Sequence, residues 1–404
     1  MWYELGVAYI AGLSVVDFMI YNYIGFKTNV SDVDYGIIGG LWSAVFIATS
    51  ELLGRLADRG SYRGLSEVSL IFLAMAAAAF ALSRNNVAVL AAAYMFHAVA
   101  VSTANLGFSA GLFEMSPDSE WESKSYGQRL GLFGLRGLGL LIISLALPFI
   151  SAFGLVEAVV IAGGLVGLAF VIALPREWPL FERRLHGILT SLTYVSAYRR
   201  AVEYFAYGKY GLLSEVPTSL RRGHATLSLP LSALFTTFVG DYYVTALPLV
   251  LRDINIGLRE YAIAFGVAGL SAAAGLAILG SMGENKAVTS VGIIARGAWA
   301  ILAIRFISSI AGIVMYISVL VLLFSLLDVS LYKMYIKASG GYGGHQHHVL
   351  REMGGIIWST TGGGGPSEGA RVFHADPARA NAGAGPSLLA VNGPLPSFLY
   401  RGPY

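Results

Sequence analysis

Cysteine is absent from this 404-residue chain. Its absence excludes disulfides, thiolate zinc sites and cysteine nucleophiles, and says nothing about compartment. Charge is also scarce: Asp, Glu, Lys and Arg make up 13% of the residues, against roughly 25% in a soluble domain. Most of the surface must therefore face something other than water. The charges nearly cancel, at +3 net, so no nucleic-acid partner is implied. The chain has no Gly-x-x-x-x-Gly-Lys-Ser/Thr phosphate loop, which argues against direct use of ATP. It also has no His-Glu-x-x-His pair, no Asp-rich metal motif and no paired catalytic residues within apolar runs, so an integral membrane enzyme would lack a visible active site.

What the chain has instead is apolar length. Hydrophobic residues make up 56% of it, and the mean hydropathy is +0.65. A membrane-crossing helix needs about 20 mostly apolar residues. That rule predicts ten spans, at 3–25, 34–54, 66–83, 87–113, 126–150, 153–174, 227–251, 260–281, 288–306 and 308–332. The runs are long, rich in Ala, Leu and Gly, and lack period-two alternation, so they read as helices. The expected fold class is all-α and polytopic. The N-terminus lacks a basic leader, carries Glu4 and holds Asp17 inside its apolar stretch, so it reads as an uncleaved first span.

Basic residues set the expected orientation. With the N-terminus in the cytoplasm, cytoplasmic segments hold sixteen Lys and Arg, and the opposite side holds five. That excess favours a cell-membrane protein with both termini inside. Half of the inside charges lie in one stretch between the sixth and seventh spans. It reads as a linker helix on the inner leaflet, with specific lipid recognition as the sharper alternative.

The two sides of this linker resemble each other. Asp17 and Asp241 each sit mid-span. Asp34-Tyr35 and Glu260-Tyr261 each open the next span, and Gly54 and Gly280 each follow the acidic residue by twenty positions, at a short cytoplasmic turn. Transporters are often built from such repeats, with the substrate site at their interface.

Between spans two and three stands Gly54-Arg55-Leu56-Ala57-Asp58-Arg59. It resembles the loop signature of the major facilitator superfamily, Gly-x-Leu-Ala-Asp-Arg followed by aromatic-Gly-basic-basic. Gly60, Ser61 and Tyr62 depart from the second part, and Arg63 fits it. The resemblance covers residues 1 to about 337 and implies a 6+6 helix arrangement that works as a secondary transporter by alternating access. In that arrangement the loop latches the two halves. Asp58 can accept hydrogen bonds from helix N-termini, and Arg59 and Arg63 can pair with carboxylates or lipid phosphates. Glu51 and Glu114, near cytoplasmic ends, fall to the same gate network. The expected partners are a small organic solute, protons and membrane lipids. The chain is expected to act as a monomer, with no cofactor and no metal.

Ionisable residues inside spans are costly and suggest function by default. Asp17 and Asp241 lie about 14 residues from their span ends, roughly 21 Å at 1.5 Å per residue, near mid-bilayer. Under the family-like arrangement they face each other across the central cavity. A carboxyl held away from water takes up a proton more readily, as a proton carrier requires. Tyr21 and Thr245, one turn beyond each Asp, extend a polar stripe on each helix. The plainer reading is a structural hydrogen bond to a neighbouring helix. Arg136, inside span five, needs an anion, either a solute carboxylate or phosphate or Asp17. His97, alone in span four, reads as a packing histidine. Span five also carries Gly131-x-x-Gly134-x-x-Gly137-x-Gly139. It is similar to the glycine-rich helix of this superfamily's drug antiporters but lacks the Gly-Pro pair, so close helix packing explains it.

The expected organisation is a six-helix bundle (1–174), a cytoplasmic linker (175–226), an incomplete four-helix bundle (227–337) and a non-membrane tail (338–404). The tail holds fifteen Gly and six Pro, with His345, His347 and His348 clustered and no apolar run near 20 residues. A disordered tail is the expectation rather than a metal site. The change in composition near Gly344 suggests a shifted coding frame that replaced helices eleven and twelve, with a genuine extension as the alternative. A non-transporting remnant of the family is accordingly a rival reading.

Overall fold

The computed structural model describes residues 1–28, 30–58, 60–176, 247–248, 251–252, 256–279, 286–302 and 309–339. Within them the chain is helical, with no strand. The helices are α1 (Trp2–Lys27), α2 (Asp32–Asp58), α3 (Tyr62–Leu82), α4 (Val87–Met115), α5 (Asp118–Ala146) and α6 (Ala152–Ala173), then α7 (Leu258–Leu279), α8 (Lys286–Leu302) and α9 (Ile310–Ser339). All but α8 are long and apolar enough to cross a membrane, which makes eight candidate spans among the described residues. The expected span at 227–251, the linker and the tail lie outside the described residues, apart from Pro175, Arg176, four residues near the end of that span, and Ala338 and Ser339, which end α9.

The helix starts explain one paired landmark. Ser31 Oγ donates to Asp34 Oδ2 at 2.7 Å and accepts from Asp34 N at 3.1 Å, so Asp34 is the third residue of a capped α2. At α7 the Gly257 amide donates to Glu260 Oε2 at 3.1 Å. Asp34 and Glu260 thus do the same work at the same helix position. The following residues, Tyr35 and Tyr261, are both buried.

The turn after α2 corrects the expectation at Gly54. Gly54 does not begin a loop; it is buried inside α2, which runs on to Asp58. The turn closes later, where Ser61 N donates to Leu56 O at 3.0 Å and Gly60 N to Ala57 O at 2.8 Å, with Gly60 at φ 70°. This pair of bonds around a left-handed residue ends a helix and favours glycine. It explains why Gly60 stands where the family signature has an aromatic residue.

α1 is the central helix and packs against α4, α5 and α6, while α5 packs against α7. The glycines of α5 divide between these two neighbours. Gly131 and Gly139 face Val7 and Val15 of α1. Gly137 meets α7 backbone to backbone: a Cβ there would lie 2.8 Å from Gly266 O and Leu270 N, and one on Gly269 would lie 2.8 Å from Gly137 Cα. Small residues permit such close approach, and dispersion and packing drive helix association where lipid already solvates apolar side chains. Outward faces carry exposed Ile142, Leu145, Ile161, Leu165 and Ile172, as a lipid-facing surface requires.

Candidate functional site

Five helices bring ionisable and aromatic side chains together, from the middle of α1 to the first turns of α2 and α7, where Tyr35 and Tyr261 stand. α1 contributes Asp17 and Tyr21, spaced i,i+4 so that they share a face. α4 contributes Tyr94 and His97, α2 contributes Tyr35 and Trp42, α5 contributes Arg136, and α7 contributes Tyr261 and Phe265.

His97 is fully buried, and its Nε2 lies 3.0 Å from the Leu13 carbonyl oxygen of α1. A carbonyl only accepts, so the neutral ring carries its proton on Nε2 and turns the Nδ1 lone pair the other way. Nδ1 lies 3.8 Å from Asp17 Oδ1, and the Asp17 side chain is 31% exposed. His97 is thus packed and satisfied through Nε2, as expected, with its Nδ1 turned toward the carboxylate at longer than hydrogen-bond range.

Tyr21 is the hub of an aromatic stack. Its ring centroid lies 4.2 Å from that of Tyr35 and 5.3 Å from that of Tyr94, and its hydroxyl donates to the Tyr35 carbonyl at 3.4 Å. Trp42 continues the stack, 5.8 Å from Tyr94. Three residues before Tyr21 on α1, Phe18 stacks on Tyr261 at 5.4 Å and packs on Phe265 at 5.3 Å.

Arg136 projects toward this second group, its guanidinium carbon 5.9 Å from the Phe265 ring centroid. Asp17, Tyr94 and Tyr261 act on it electrostatically. Among the described residues no carboxylate comes within ion-pair distance of it. Its Nε is buried and makes no hydrogen bond among the described residues. The expected alternative of an Arg136–Asp17 salt bridge is thus reduced to electrostatic range.

Other expected site residues are not gathered here. Asp241 and Thr245 lie outside the described residues, as do Arg59 and the Asp58 side chain. Arg63 donates from Nε to Glu67 Oε1 at 3.1 Å on the surface of α3. Glu51 and Glu114 are exposed near helix ends.

Two further ion pairs tie the N-terminal helices to later ones. Arg129 of α5 pairs with Asp328 of α9 at 3.3 Å, with both side chains buried. Arg252 pairs with Asp32 at 3.3 Å, at the half-exposed opposite end, and also donates to Gly25 O at 3.4 Å. Arg296 of α8, likewise buried, lies 4.8 Å over the Phe324 ring. Asp328 and Arg296 stand in apolar runs, the same signal that marked Asp17. Attention to the better-matched mid-span residues passed over them.

No family model matches the sequence, and no curated protein matches it. Solved structures do match in fold. A peptide transporter POT in complex with sulfate superposes with a TM-score of 0.64 at 13% identity, covering 92% of this chain and 89% of that one. The xylose transporter XylE from E. coli, in a partially occluded inward-open conformation, gives 0.60 at 13%, covering 90% and 89%. A bacterial homologue of the human lysosomal transporter Spinster gives 0.59 at 15%, covering 89% and 80%. At such identities the likeness establishes the architecture: the chain has the all-helical fold of the major facilitator transporters.

Proposed function

We propose that the chain is a secondary active transporter that moves a small organic solute across a membrane by alternating access, coupled to protons. One observation carries the reading: Asp17, His97, Tyr21 and Arg136 converge at mid-membrane where α1 meets α4, α5 and α7. A membrane interior tolerates ionisable groups where they pair or line a solute path. Asp17 is the proton carrier, with His97 its partner. Tyr21 and Arg136 contact solute, and Asp241 and Thr245 supply the matching stripe from the second half. Gly54, Asp58, Arg59 and Arg63 latch the two halves, with the N-terminus and C-terminus in the cytoplasm of a cell-membrane monomer. A POT family transporter of the same fold was crystallised with 5-aminolevulinic acid. The shared fold supports a transport role for this chain, and the site decides the solute.

The composition of 338–404 favours a second reading, a transporter remnant that inserts without carrying solute. Uptake into proteoliposomes separates the two. With an inward proton gradient and a panel of labelled organic solutes, the wild type accumulates at least one solute above equilibrium. Asp17→Asn inserts normally and accumulates none. No accumulation by the wild type, or full accumulation by Asp17→Asn, contradicts the coupled-transport reading.

A further inference from the structure

Arg136 differs from the other cations inside the described spans in what faces it. Arg129 has Asp328, and Arg296 lies on the face of Phe324 at van der Waals range. Arg136 lies farther from its ring, 5.9 Å from the centroid, and among the described residues it has no carboxylate at ion-pair distance and no acceptor for its buried Nε. Asp17, which acts on it electrostatically, lies 3.8 Å from His97 Nδ1. A buried cationic donor left unmatched is expensive, and a ligand acceptor is one of the few ways to satisfy it.

The surroundings restrict the rest of the ligand. Tyr94 acts on Arg136 electrostatically and stacks with both Tyr21 and Trp42. The Trp42 ring is partly exposed, and its Nε1 donor is buried with no hydrogen-bond partner among the described residues. Two unmatched nitrogens here are donors, on the Arg136 guanidinium and the Trp42 indole, whereas the acceptor His97 Nδ1 is turned toward the Asp17 carboxylate. Donors without acceptors select an anion over a cation. A bank of ring faces selects a flat unsaturated body over an aliphatic polyol, because offset ring pairs contribute beyond area burial alone.

We infer that the solute is an aromatic organic acid, with its carboxylate on the Arg136 guanidinium and its ring against the Tyr94–Trp42 stack. This rests on reading the cluster as a solute site. An organic cation would instead sit at Asp17 and use the same rings through cation–π contact. The carboxylate already faced by His97 is the weaker invitation.

Three ring-matched probes decide between these. Thermal stabilisation of the purified full chain is measured with 3-phenylpropionate, 3-phenylpropylamine and 3-phenylpropanol at equal concentrations. The acid stabilises the protein and the other two do not. Arg136→Gln weakens acid binding about tenfold or more, as loss of a charged hydrogen bond implies. Arg136→Lys retains part of it, and the surface variant Arg84→Gln binds like wild type. Equal or stronger stabilisation by the amine or the alcohol, no response to the acid, or acid binding that survives Arg136→Gln overturns the inference. If Arg136→Gln does not fold, the wild-type comparison of the three probes decides alone. Uptake of the same probes separates this inference from the transport reading. Acid binding without accumulation of any solute removes transport and keeps the site, and accumulation of a solute other than an acid does the reverse.

Discussion

Arg129 and Arg136 stand two turns apart on α5, on a helix that meets both α1 and the later helices. Arg129 is locked to Asp328 at 3.3 Å with both partners buried. Arg136 sits beside an aromatic ring with a buried nitrogen unmatched. One residue type on one helix thus serves two purposes. A cation whose partner belongs to the protein fastens helices together. A cation without one is poised for something that comes and goes. Gly134, between them, and Gly137, just after Arg136, face α7, so the open cation sits within the close helix crossing and the fastening pair lies to one side of it.

The largest effect is expected from breaking the fastened pair. Removing one member leaves the other buried and uncompensated, at about 3–5 kcal/mol. Asp328→Ala should lower the unfolding free energy in mixed micelles by that amount. The charge swap of Arg129→Asp with Asp328→Arg should recover much of it. Equal destabilisation by the swap would mean that the pair is not what the contact provides.

Next comes the crossing. A Cβ on Gly137 meets α7 backbone, which cannot swing aside as a side chain can. Gly137→Val should cost on the order of 3 kcal/mol through overpacking, whereas Gly164→Ala, with open space around it, should be neutral. Arg136→Gln sharpens the contrast with Arg129. It should leave stability within about 1 kcal/mol of wild type, since no carboxylate among the described residues is orphaned. A loss like that of Asp328→Ala would place Arg136 among the fasteners. The smallest effect belongs to Arg252→Gln, because half-exposed pairs contribute only about 0–1 kcal/mol, and added salt should erase it.

Much of the fold was legible in the sequence because hydropathy is a strong and local signal. The spans at 3–25, 87–113, 153–174 and 260–281 lie within a few residues of α1, α4, α6 and α7. α5 begins at Asp118, well before the apolar run at 126. Its polar first turns are anchored by Trp121 Nε1 donating to Ser116 O and Lys124 donating to Ser116 Oγ, which hydropathy does not register. The site was legible in part. Asp17, Tyr21 and Arg136 stood out as polar residues in apolar runs, and the structure brings them to one level. The turn of His97 Nδ1 toward Asp17 was hidden, since it depends on the Leu13 carbonyl fixing its tautomer, a contact between helices far apart in sequence. The Arg129–Asp328 pair was hidden for the same reason, with Arg129 counted only as an inside charge. The departure at Gly60 reads as a mismatch in sequence and as a helix stop in structure.

Alternating access is the central claim, and the cysteine-free chain suits a direct measurement of it. Cysteine pairs would carry spin labels at exposed positions, Leu52 with Ile278 near the end expected to face the cytoplasm, and Phe149 with Ile310 near the opposite end. Double electron–electron resonance would then report both distances at high and low pH. The account predicts two populations at each end, with one end widening as the other narrows. A single unchanging distance at both ends would contradict it.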